Sequence, residues 1–152
     1  MLAAIALSLI QLLYRWSHPV TSELGRVGKS HDFVDIRHHD DAGRIPGVAI
    51  FRPNAPLFFA NAETVLRDIG RAAAASDAHV VIISLEESDD LDSTALDALD
   101  EFAQSLHANG RRLILARAHD KVRDVLCAAG LADMAGTSTF SVADAADRAL
   151  TP

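Results

Sequence analysis

The run Val80-Val81-Ile82-Ile83-Ser84-Leu85 constrains this chain more than any other stretch. It is apolar along its length instead of alternating, so it reads as a strand paired in parallel and covered on both faces. A short acidic loop follows, with Glu86, Glu87, Asp89 and Asp90. Then comes Asp92-Ser93-Thr94-Ala95-Leu96-Asp97-Ala98-Leu99, which opens a pattern with Ala95, Leu96, Leu99, Phe102, Ala103 and Leu106 on one side. Steps of three and four residues are the period of an amphipathic helix. Asp92 or Ser93 fits its N-cap, because either side chain can accept from the orphan N–H groups of the first turn. A helix start also favours an anion, so the Ser93 hydroxyl is placed where a phosphate would be stabilised. Strand, loop and capped helix in this order predict an α/β layout.

The neighbouring stretches agree. Phe33 to Arg37 alternates and reads as a strand, and Gly47 to Arg52 reads as a central strand ending at Pro53. A helix is predicted from Ala62 to Ala75, with Asn61 as its cap and Val65, Leu66 and Ile69 inward. Asn109-Gly110 is a helix stop. Arg112 to Ala116 is a further strand. His119-Asp120 caps a helix with Val122, Val125, Leu126 and Ala129 inward, and Ser141 to Asp144 opens the last helix. Pro56-Leu57-Phe58-Phe59 is an apolar hinge before Ala62, with two readings: core packing, or an exposed surface that docks to a partner.

Hydrophobic residues make up 49% of the 152, enough for a core, but aromatics make up only 5%, so Leu, Ile, Val and Ala must build it. The formal charge of −7 argues against nucleic acid as a partner, which would require a basic stripe. Cys127 is the single cysteine, which excludes a disulfide framework or a thiolate zinc site. His38-His39-Asp40-Asp41 offers four ligand types in a row. Adjacent residues on an extended chain face opposite ways, so they read as a solvated turn and no metal site is predicted. Gly25-Arg26-Val27-Gly28-Lys29-Ser30 imitates a phosphate-binding loop, but two residues separate its glycines where that loop has four. The acidic loop reads as solvated, or as a Mg²⁺-assisted phosphate site; unassisted, its carboxylates repel an anion.

Met1 to Trp16 is apolar until Arg15. That is short of the roughly twenty residues a membrane crossing requires, and it lacks the basic n-region and cleavage site of a secretory signal. Tyr14 and Trp16 suit a membrane–water interface, and Arg15 and Arg26 a cytoplasmic flank. Residues 1–16 therefore read as the end of a transmembrane helix; the other reading is a core helix of the domain. Residues 17–30 read as a linker and 31–152 as the folded domain.

The Asp92-Ser93-Thr94-Ala95-Leu96 run after a buried strand resembles the core motif of the STAS domain, shared by sulfate transporters and anti-sigma-factor antagonists. Ile45-Pro46-Gly47-Val48-Ala49-Ile50-Phe51-Arg52 through Ala55-Pro56-Leu57-Phe58-Phe59-Ala60-Asn61-Ala62 resembles the start of that domain in bacterial SulP-family anion transporters. With Leu24-Gly25-Arg26 and the apolar N-terminus, the resemblance covers nearly the whole chain. It implies an α/β fold with a mixed, mainly parallel sheet of about four to five strands flanked by about four to five helices, after an N-terminal apolar helix. It implies a regulatory and interaction domain of a secondary active sulfate or related anion transporter, facing the cytoplasm at the inner membrane. The implied partners are the transmembrane domain of the same transporter, a second copy of the chain, and a kinase or other cytoplasmic protein. No catalytic role is implied, and no base stands beside Ser93 in sequence. In the antagonist branch the residue after the motif's Asp is phosphorylated, which corresponds to Ser93; Asp92, Ser93 and Thr94 are thus the candidate phosphoacceptor and anion site, and a free-standing phospho-switch is the alternative function. No cofactor is required, although nucleotide binding has been proposed for some members of the transporter branch. Pro56, Leu57, Phe58 and Phe59 are the candidate interaction surface.

Overall fold

The computed structural model describes residues 2–17 and 19–151, the side chains of Leu2, Leu13, Arg15, Trp16 and Ser17 excepted. The interface and flank roles expected of Trp16 and Arg15 fall on side chains outside the described ones. In chain order the elements are α1 (Leu2–Ser17), β1 (Thr21–Val27), β2 (Phe33–Asp35), β3 (Ala42–Gly43), β4 (Val48–Pro53), α2 (Ala62–Ala74), β5 (Val80–Ser84), α3 (Ser93–Ala108), β6 (Arg112–Ala116), α4 (Asp120–Ala128), α5 (Ala132–Thr137) and α6 (Val142–Leu150).

The strands form one mixed sheet in the order β2-β1-β4-β5-β6, with β3 also paired to β1. β4, β5 and β6 run parallel, in register Ile50↔Ile82 and Ile82↔Ile114. β1 lies antiparallel to β4, with Ser22 opposite Arg52. The expected linker over 17–30 is thus corrected: Thr21 to Val27 is a strand between β2 and β4. Its polar sequence hid it. A strand's neighbours supply its stability more than its own propensity does, and here the backbone bonds come from both sides. Polar side chains on it find partners elsewhere in the chain, as Glu23 does with Arg44 at 2.6 Å. Gly25 is required by space: a Cβ there would stand 2.7 Å from Ile36 Cγ2 and 2.9 Å from the Gly43 carbonyl oxygen.

Successive side chains of a strand face opposite sides, and the sheet carries two cores accordingly. Ala49, Phe51, Val81, Ile83 and Leu115 pack against α2, α3 and α4 through Leu66, Leu99, Phe102 and Leu126. Leu24, Val48, Ile50, Val80, Ile82 and Ile114 pack on the other face against Val142, Ala145 and Ala146 of α6. The apolar run of β5 is therefore covered on both faces, as its composition requires. The small side chains of α6 let it lie close to the sheet. Its start is capped by Ser141 Oγ, which accepts from Asp144 N at 3.0 Å, and Arg112 Nη2 donates to the Ala149 carbonyl near its end at 3.1 Å.

Three local expectations change. Asn61 makes no side-chain cap bond to α2; it is fully buried and closes the preceding loop. His119 stands at the cap position of α4 without a side-chain cap bond. α5, six residues with no apolar period, appears between α4 and α6. α1 is not interior packing: Ile5, Leu7, Leu9, Ile10 and Leu12 are 50–67% exposed and belong to neither core. Among the described residues, no helix is long and apolar enough to cross a membrane.

Candidate functional site

The parallel strands β4 and β5 end at the same edge of the sheet, the edge where open α/β folds place their sites. Two loops leave it, one running from β4 to α2 and the other from β5 to α3. The stretches 56–59 and 92–94 lie in these loops and at the start of α3, so the fold brings both candidate sites together. Leu57 N donates to Ser88 Oγ at 3.0 Å. Phe59 N donates to Asp92 Oδ2 at 2.8 Å. The other oxygen of the same carboxylate caps α3, accepting from Ala95 N at 2.8 Å. Asn61 braces the first loop from inside, accepting from Phe58 N at 3.0 Å and donating to the Pro56 carbonyl at 2.9 Å.

Asp92 is thus both cap and staple. Its two oxygens each hold a backbone N–H, which suits it to positioning. Ser93 and Thr94 are exposed on the first turn of α3. Between the loops lies a groove of about 640 Å³ with Pro56, Leu57 and Phe58 on one wall and Glu87, Asp89, Asp90 and Asp92 on the other. The aromatic pair meets edge to face, ring centres 5.3 Å apart. Phe59 is 69% exposed, whereas Leu57 is 1% exposed. Leu57 is therefore removed from the candidate surface: its side chain is part of the core beneath the groove.

The acidic loop is laced to the β6–α4 turn instead of being simply solvated. Glu86 pairs with Arg117 at 2.8 Å and Asp90 with Lys121 at 2.6 Å, and Asp89 lies 3.5 Å from His119 Nε2. The Lys121 ammonium, and then the Leu91 N–H, hold the Asp90 carboxyl below its ordinary value. Arg117 adopts a left-handed backbone, φ 55°, which turns its N–H to the Thr139 carbonyl at 2.8 Å. With Glu86 and Asp90 drawn toward these cations, the described residues contain no acidic or histidine cluster placed to hold a metal. Ser88 was not legible as a site residue; it is 2% exposed and its bond partner lies 31 residues away.

A second concavity of about 610 Å³ lies beside the start of β1, lined in part by Ser22, Asp35, Arg37, His38, His39 and Arg52. Here Arg37 grips Asp35 through Nε at 3.1 Å and Nη2 at 2.8 Å. That grip, with help from the Ser22 hydroxyl, holds the Asp35 carboxyl well below the usual carboxylate range. A depressed folded-state value contributes stability above the unfolded value, about 3.9, and that contribution is lost as pH falls through the folded value. An Arg37→Ala chain keeps the Ser22 hydroxyl and the backbone N–H of residue 37 beside Asp35, so it is expected to titrate Asp35 closer to the ordinary value and to lose part of this acid-limb dependence. Carboxyl NMR titration of the two chains reads the difference; identical Asp35 curves would contradict the pairing.

The fold and the site define an α/β module with a groove and an exposed hydroxyl at one sheet edge. The pattern of the STAS domain matches residues 41–146, and the chain belongs to that family. It is 38% identical over 137 residues to a probable sulfate transporter of Mycobacterium tuberculosis, covering 89% of this chain and 24% of that protein. It thus spans about a quarter of the length of the curated relatives it matches. The fold superposes on the murine anion transporter Slc26a9 in its inward-facing state with a TM-score of 0.87 at 21% identity, covering 99% of this chain and 25% of that one. It superposes on the STAS domain of a SulP transporter from Vibrio cholerae with a TM-score of 0.59 at 26% identity, covering 76% and 90%.

Proposed function

We propose that this chain is the cytoplasmic regulatory and interaction domain of a secondary active transporter of sulfate or a related anion, held at the inner membrane. Its partner is the transmembrane part of the same polypeptide. The observation that carries the reading is the join between α1 and the sheet. A helix with Ile5, Leu7, Ile10 and Leu12 exposed runs within four residues into β1, a strand bonded on both sides. Exposed apolar side chains of this extent call for lipid or a helical bundle as cover. Residues 1–16 then form the end of a membrane helix, and Phe58 and Phe59 face the membrane part or a second protomer.

Cell fractionation tests the reading. An antiserum against this chain is expected to detect a membrane-bound polypeptide several times heavier than the 16.3 kDa of the chain, and deletion of the domain is expected to alter sulfate uptake. A free soluble protein of the chain's own mass would overturn the proposal.

The exposure of Ser93 supports a regulatory input of a second kind, phosphorylation by a partner kinase, as in a phospho-switch resembling the anti-sigma-factor antagonists. A phosphate there carries about two negative charges. It would stand beside Asp92 and compete for the N–H groups of the first turn of α3, loosening the Asp92 bond to Phe59. Incubation with a cell extract and ATP is expected to add one phosphate that Ser93→Ala abolishes; an unmodified Ser93 would remove this input.

A further inference from the structure

The described arginine side chains are almost all engaged. Arg26 pairs with Asp147, Arg37 with Asp35, Arg44 with Glu23, Arg71 with Asp68 and Arg117 with Glu86. Arg67 bonds the Thr64 hydroxyl, and Arg111, Arg112 and Arg148 bond carbonyl oxygens. Arg123 lies over the Phe140 ring. Arg52 is the exception: half-buried, it has no hydrogen bond, ion pair or ring contact among the described residues. It lines the second concavity. Ser22 stands opposite it in the β1–β4 register. The β2–β3 turn brings His38 and His39 to the same space.

The charges around Arg52 leave a local surplus. Asp35 is the one acidic residue that lines the concavity, and Arg37 already neutralises it through two bonds. Arg37 makes them with Nε and Nη2, so its Nη1 is not used there. Asp40 and Asp41 follow on the same turn but do not line the space. What remains is one unmatched guanidinium and two imidazoles, in a chain whose formal charge is −7. Unlike the arginines that bond hydroxyl or carbonyl oxygens or a ring, Arg52 has its guanidinium donors available at this wall. Its planar fork matches the oxygen spacing of a phosphate or sulfate group and is more weakly hydrated than an ammonium.

We infer that this concavity binds a tetrahedral oxyanion of the phosphate or sulfate class, with Arg52 as the principal donor and Arg37, His38 and His39 completing the wall. The oxyanion has two sources, a free ion or the phosphate of an anionic lipid. Val20, which follows α1 by three residues, lines the same space. The site is thus at the root of the apolar helix, where a lipid headgroup would lie. Only the lipid source depends on the membrane reading of α1. Asn54 lines both this concavity and the groove that holds Phe58, so occupancy here adjoins the interaction surface.

Titration of the chain with inorganic sulfate and phosphate at constant ionic strength, followed by amide NMR, tests the free ion. Saturable shifts at Ser22, Arg37 and Arg52 are expected. Arg52→Gln is expected to weaken binding about tenfold, the loss of a bond to a charged group, and Arg52→Lys, which keeps the charge and loses the fork, by less. The second arm is flotation with phosphatidylcholine vesicles, with and without phosphatidylglycerol. Excess binding to the anionic vesicles that Arg52→Gln removes, without free-ion shifts, identifies a lipid phosphate. Either Arg52-dependent result supports the site. Absence of binding in both arms, equal binding to both vesicle types without free-ion shifts, or binding that Arg52→Gln and Arg52→Lys both leave unchanged overturns it.

Discussion

Replacing Asp92 with alanine is expected to destabilise the domain by about 2–3 kcal/mol, the sum of a lost N-cap and a lost bond to a charged acceptor. For a chain of this size that corresponds to a melting temperature lower by about 5–10 °C. The size follows from the double duty of one carboxylate, which holds Ala95 N and Phe59 N at 2.8 Å each. Alanine frees both donors, one at a helix start and one in a loop. Asp92→Asn is expected to cost less, since asparagine is an equally good cap, but its amide must present either an N–H or a neutral oxygen to Phe59. Hydrogen exchange distinguishes this mechanism from a general weakening: the Phe59 and Ala95 amides are expected to lose protection before the sheet does. An Asp92→Ala chain with wild-type melting and unchanged exchange at Phe59 would refute the staple.

Leu57→Ala is expected to cost about 3 kcal/mol, within the range for deleting a fully buried leucine. Phe59→Ala, two residues on, is expected to cost about 1 kcal/mol or less, because the exposed ring loses only its edge-to-face contact with Phe58. The contrast rests on exposures of 1% and 69%. It separates the hinge into a part that holds the fold and a part free to meet a partner. On the proposed function, the order is expected to reverse in the longer polypeptide, with Phe59→Ala disturbing uptake while the domain remains folded. Urea unfolding of the two variants, read beside uptake, decides it; a stable Leu57→Ala chain or an unfolded Phe59→Ala chain would count against the division.

Much of this architecture could be read from the chain. The apolar run of β5 required cover on both faces and has it. The spacing from Ala95 to Leu106 gave α3, and Asn109-Gly110 stopped it, with Gly110 at φ 69°. The elements legible in this way are those whose signals lie within a turn or two of each other, in periods, caps and stops. The candidate residues were legible only as two separate stretches. Ser88 gave no signal, Asn61 was read as a cap, and Leu57 was read together with the surface around it.

The sequence by itself determined the α/β class, the parallel centre of the sheet and the start of α3, because each depends on neighbours a few residues apart. Only the tertiary structure decided that the polar stretch 21–27 is a strand, that Asp92 ties α3 to a loop 33 residues away, and that Arg52 has no partner among the described residues. The physical reason is the range of the interactions. A backbone donor in a loop or an edge strand is satisfied by whatever the fold brings beside it, and no local pattern of residues records what that will be.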